Sequence, residues 1–129
     1  MLIDDFRRLN ETMDAALVPA VYATDSILDS NVPEWRFQRK GTDEIAGQYR
    51  EWASEISDLR VAAFTAHEAP WGFVVELEQR YRADDDDCLS RQIHLLKVSD
   101  GKVTEQKMYC TGVWSSETIK RQAAEAPMV

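Results

Sequence analysis

Two strand-forming runs meet at Asp100-Gly101 within the stretch Gln92–Trp114 (QIHLLKVSDGKVTEQKMYCTGVW), and this constrains the fold more than any other feature. Asp-Gly supplies the positive φ angles of a two-residue hairpin turn, so the flanks are expected to pair antiparallel. With the turn there, Val98 faces Val103, Leu96 faces Glu105, His94 faces Lys107 and Gln92 faces Tyr109. That register puts Gln92, His94, Leu96, Val103, Glu105, Lys107, Tyr109 and Thr111 on one face, and Ile93, Leu95, Lys97, Thr104, Gln106, Met108 and Cys110 on the other. Both faces mix apolar and polar residues, which predicts a sheet covered on both sides.

The segments upstream read as that cover. Leu2, Ile3, Phe6, Leu9, Met13, Ala16 and Leu17 recur at helical spacing, predicting an amphipathic helix over Ile3–Leu17. Pro19 then opens a short helical turn to Tyr22. Ser26–Val32 reads as a strand that carries Asp29 and Asn31 against local propensity, and Trp35–Lys40 follows as another after Pro33. Thr42 suits an N-cap, and Ile45, Tyr49, Trp52, Ala53 and Ile56 form the apolar stripe of a second long helix. Leu59–His67, Phe73–Arg82, Leu89–Val98 and Lys102–Val113 read as strands, and Ser115 caps a final helix to about Ala124. The order predicts one α+β domain over 1–129, with a curved, mostly antiparallel sheet of about six strands against three helices and a short C-terminal helix.

A chain of 129 residues can bury one core without disulfide or metal support. Its formal net charge of −8 argues against nucleic acid and anionic membranes as partners. No apolar run approaches the roughly 18 residues of a membrane span, and Met1-Leu2-Ile3-Asp4-Asp5 lacks the basic start of a signal peptide. The expectation is a cytoplasmic protein with Cys88 and Cys110 as thiols. Asp84–Asp87 is a self-repelling, solvated loop tip without a calcium-loop pattern, and His67 and His94 lack ligand spacing, so no metal and no cofactor is expected.

The element order, with VYATDSILDSNVPEWRFQRKGTDEIAGQY and HLLKVSDGKVTEQKMYCTGVW, resembles the nuclear-transport-factor-2-like superfamily. That group includes ketosteroid isomerases, limonene epoxide hydrolases and SnoaL-like polyketide cyclases. The resemblance covers nearly the whole chain. It implies a cone-shaped sheet around a cavity, closed by the first and third helices, and a homodimer formed through the outer sheet surface. It also implies an acidic base near the end of the last strand, where this chain has Met108, Tyr109, Cys110 and Thr111. The Arg-Asp-Asp set of the epoxide hydrolases and the tyrosine and protonated aspartate of the isomerases do not map onto this chain.

The residues themselves offer one constellation: Glu76 or Glu78, His94 and Tyr109, converging from three adjacent strands. His94 can shuttle a proton near neutral pH, Glu78 can orient it, and Tyr109 can donate to a carbonyl or oxyanion. Asp29 adds a further base. Asn31, Trp35, Phe37, Tyr49, Trp52 and Thr111 are the expected contacts of an apolar small-molecule ligand. Two other readings stay open. The charged residues also fit cross-strand pairs on an exposed or dimer-facing surface, and the aromatics fit plain core. The functional classes are therefore a cofactor-independent isomerase, cyclase or hydrolase, a noncatalytic binding module, and a dimeric interaction module.

Overall fold

Helix α1 (Leu2–Thr12) stops at Met13, whose φ of 55° closes it with a bond from its N–H to the Leu9 carbonyl. The helix expected to run to Leu17 breaks here because polar side chains compete for backbone donors. Thr12 Oγ1 accepts from the Asp14 N–H at 3.1 Å, and Asp14 Oδ1 accepts from the Ala16 N–H at 3.0 Å. A single tight turn over Ala15–Leu17 then leads into α2 (Val18–Val21), with Pro19 in its first turn. The structure is a computed structural model and describes residues 1–128.

Strand β1 (Tyr22–Val32) begins earlier than the expected Ser26 and turns at Glu34, φ 62°, into β2 (Trp35–Lys40). Helix α3 (Gly41–Glu55) starts at Gly41 and is not capped by Thr42. Instead the Glu44 carboxylate, in the first turn, reaches back and accepts from the Lys40 N–H at 3.2 Å. Strands β3 (Ser57–Ala69), β4 (Gly72–Ala83), β5 (Asp86–Ser99) and β6 (Lys102–Cys110) follow. Helix α4 (Ser116–Glu125) is capped by Ser115, which accepts from the Thr118 N–H.

The six strands make one sheet in the order β2-β1-β6-β5-β4-β3. All neighbours are antiparallel except β1 and β6, so the α+β expectation holds with one parallel pair. The core lies between the inner sheet face and helices α1 to α3. Phe6, Leu9, Val18, Val21, Ile45 and Tyr49 pack there on Leu28, Phe73, Val75, Leu77, Leu96 and Val103. Burying such side chains stabilises the fold by about 1.5–3 kcal/mol each before entropy is counted. Among the described residues no helix is long and apolar enough to cross a membrane.

The last hairpin departs from the simple two-residue register. Val98 pairs with Val103, but Lys97 pairs with Glu105, leaving Thr104 as an extra residue. This β-bulge shifts β6 by one position. Beyond it His94 opposes Met108, Gln92 opposes Cys110 and Ile93 opposes Tyr109. Because side chains alternate with a period of two, the slip exchanges the two faces of β6. Gln106 and Met108 turn inward, and Lys107 and Tyr109 turn outward.

Candidate functional site

The inner faces of β4, β5 and β6 with α1 and α3 enclose a cavity of about 180 Å³. Its wall includes Asn10, Tyr49, Trp52, Gln79, Tyr81, Ser90, Gln92, His94 and Met108, with Glu55, Ile56 and Val113 also contributing. Gly112, at φ 78°, closes another side, where an added Cβ would stand 3.0 Å from the Pro33 ring.

A hydrogen-bond chain of fixed direction starts behind this wall, at Tyr22 and Gln106, and continues along it. Tyr22 donates to Gln106 Oε1, so its oxygen takes the proton of Tyr49 at 2.9 Å. Gln106 Nε2 donates to His94 Nδ1 at 2.8 Å, which requires the proton on Nε2. His94 Nε2 donates to Gln92 Oε1 at 2.8 Å, Gln92 Nε2 to Gln79 Oε1 at 2.8 Å, and Gln79 Nε2 to the Asn10 carbonyl at 2.7 Å. A second branch joins Tyr81 to Ser90, whose own proton goes to the Gly112 carbonyl at 3.0 Å. Buried polar groups of this kind cost stability unless they are paired, and here the strand pattern supplies a partner for each.

The chain fixes protonation as well as orientation. His94 is 1% exposed, packs edge-on to Phe6 at 5.3 Å, and is pushed by burial down to about 3. Burial pushes Tyr49 up to about 12 and Tyr22 well above its ordinary value. Tyr81 and Cys110 are raised by the same cause. These deep groups are therefore neutral at pH 7.

The expected triad does not assemble. Glu78 pairs in register with Arg91 on the outer sheet face and sits 3.2 Å from Arg80, whereas His94 pairs with Val75 and points inward. Tyr109 is likewise outward and 48% exposed, opposite in face to His94 because of the Thr104 bulge. Glu76 is also outward, 2.9 Å from His67. Asp29 is outward too, though buried beneath Arg36, which grips it through two bonds of 2.8 and 2.9 Å. That guanidinium holds the Asp29 carboxyl below its ordinary range, with Gln38 assisting.

The expected ligand contacts divide. Tyr49 and Trp52 line the inner cavity, in edge contact at 5.3 Å. Phe37 stands behind Trp52 at 6.4 Å with Arg39 over its ring, outside the cavity, and Trp35 is 70% exposed on the edge strand. Asn31 is tied to the Met108 carbonyl at 3.2 Å. Thr111 accepts from the Arg91 N–H and donates to the Gly112 carbonyl, a joint between strands. It lies with Glu76, Glu78, Arg91, Ile93 and Tyr109 along an outer groove of about 590 Å³.

Asn10, Tyr22, Gln79, Tyr81, Ser90, Gln92 and Gln106 were missed as site residues, although a signal existed. Gln79 falls in phase with Phe73, Val75, Leu77 and Tyr81, and Gln92 in phase with Leu96. Amides on an otherwise apolar strand face mark a buried polar network. Among the described residues no group of His, Cys, Asp and Glu is placed to hold a metal ion.

No family model and no curated protein matches the chain. Solved structures do. A Catenulispora acidiphila protein with a ketosteroid isomerase-like fold, in complex with trimethylamine, is 13% identical, with a TM-score of 0.72 over 95% of this chain and 92% of that one. A candidate polyketide cyclase from Xanthomonas campestris pv. campestris is 16% identical, with a TM-score of 0.69 over 84% and 86% of the two chains. An LEH-like epoxide hydrolase from M. tuberculosis is 16% identical, with a TM-score of 0.62 over 84% of this chain and 74% of that one. The chain thus has a ketosteroid isomerase-like fold.

Proposed function

We propose that the protein is a noncatalytic binding module that takes a compact, mainly apolar molecule into the inner cavity. One observation carries this reading. The deep titratable groups lining the cavity, His94, Tyr49, Tyr81 and Cys110, are held neutral and away from pH 7. General acid–base work favours a group poised near the working pH, and an ionised partner to activate it. His94 has neither, since both of its nitrogens are committed to glutamine amides. The proton-transfer role expected for His94, Glu78 and Tyr109 loses its support with the separation of their faces.

Size narrows the occupant. A cavity of about 180 Å³ is small beside drug-sized pockets, which run to about 300–1,000 Å³. It is close to an engineered cavity of about 150 Å³ that holds benzene, so the fit is one ring or less. Trimethylamine, bound by the Catenulispora protein, is within that size. A thermal-shift panel of cyclohexanone, phenol and small amines tests the reading. Saturation near 100 times the dissociation constant adds about 2.7 kcal/mol, a shift of several degrees, and Trp52→Ala should abolish it. Recovery of the compounds unchanged after incubation is expected. Turnover, or no stabilisation by any compound, refutes it.

A homodimer through the outer sheet surface fits the same fold. Ile93 and Tyr109, 46% and 48% exposed, present apolar surface around the outer groove. Light scattering should give about twice the 14.8 kDa chain mass.

A further inference from the structure

We infer that the inner cavity selects small organic cations, alkylated ammonium compounds in particular, over neutral molecules of the same shape; this rests on the binding role proposed above. The wall has no lysine or arginine, and its histidine is neutral. Trp52, Tyr49 and Tyr81 supply aromatic surface, whose negative faces attract a compact cation. Sulfur from Met108 and Met13 adds polarizable contact.

The direction of the hydrogen bonds points the same way. Tyr49 gives its proton to Tyr22, and Tyr81 gives its proton to Ser90. The Tyr81 oxygen therefore keeps lone pairs that can receive an N–H or the polarised methyl groups of an ammonium, and neither phenol has a proton left for a carbonyl ligand.

The entrance carries matching charge. Glu55 lines the cavity at the end of α3, whose last turn has no basic residue, so the negative end of the helix dipole is uncompensated there. Glu55 and Ile56 also border a surface hollow lined by Asp84 and Asp85. Arg82 stands in the same hollow, but its guanidinium is 2.9 Å from Asp87. A cation approaching this end meets carboxylates before it meets the rings, and charged rims of this kind steer association.

The test is calorimetric titration of the intact protein with choline and with its carbon isostere, in which a quaternary carbon replaces the nitrogen. Choline should bind about tenfold tighter. Glu55→Gln, a change at an exposed position, should weaken choline several-fold and leave the isostere unaffected. Trp52→Ala should remove both. If the isostere binds as tightly as choline, the cation preference is wrong and the cavity reading stands. If neither binds, the cation preference fails, and the binding role is decided by the panel of cyclohexanone, phenol and small amines. Choline binding that survives Trp52→Ala lies outside the cavity and overturns the proposal.

Discussion

His94 and Tyr109 lie on adjacent strands of one hairpin, yet they project to opposite faces of the sheet, because His94 opposes Met108 while Tyr109 opposes Ile93. One inserted residue, Thr104, separates a buried neutral imidazole from an exposed phenol. The two could work on one substrate only if the bulge were absent.

The protonation of His94 predicts an acid-sensitive fold. Its folded-state value of about 3 lies below the ordinary 6.5, so the unfolded chain binds a proton between those limits and the folded one does not. Stability from this group is complete above pH 6.5 and falls by about 1.4 kcal/mol per pH unit down to about 3. Urea unfolding at pH 7 and pH 4.5 should show the loss. His94→Gln should flatten it, and an equally steep slope in that variant would exclude His94 as the cause.

Gln106 joins the tyrosine pair to His94, so Gln106→Leu strands both the Tyr22 hydroxyl and His94 Nδ1. Each stranded buried group costs about 1–3 kcal/mol. Pairing the change with Tyr22→Phe should cost less than the sum of the two single losses, because the bond from Tyr22 to Gln106 is broken in both. Strict additivity in that double-mutant cycle would mean that the chain is not coupled.

Asp29 is a buried carboxylate whose counter-ion is largely solvent-exposed. Its depressed titration means that its contribution is present above the unfolded value of 3.8 and is lost as pH falls through the lower folded value. Arg36→Ala should raise the Asp29 titration seen by carboxyl NMR, and acid unfolding should begin at higher pH. An unmoved Asp29 resonance would transfer the effect to Gln38.

The proposed dimer gives a sharp variant. Ile93→Glu sets a charge on an exposed outer position between Glu76 and Tyr109 and leaves the inner face untouched. It should convert the dimer to a monomer in light scattering with choline affinity retained. A variant that stays dimeric would place the contact elsewhere.

Most of the architecture was legible from periodicity and turn chemistry. The Asp100-Gly101 hairpin, the α3 stripe and the strand phases of β4 and β5 each followed from short-range pattern. The bulge was not legible, because nothing in Lys102-Val103-Thr104-Glu105 marks an extra residue by type. That single omission carried Tyr109 to the wrong face. Glu78 failed for a different reason, since the β4 alternation already set it opposite to Val75 and Leu77 while a neighbouring histidine drew it inward. Charge was read as chemistry where amides in phase with the core were the stronger sign.

The parallel pairing of β1 with β6 makes the chain's beginning depend on its end. During synthesis Tyr22–Val32 emerges long before Lys102–Cys110, and until then one edge of β1 has no strand to pair with. Such an edge invites pairing with another chain, and the closing contact joins residues as far apart in sequence as Tyr22 and Val103. Nascent chains halted before Cys110 should therefore be captured by chaperones or aggregate, while release of the complete chain closes the sheet in one late step.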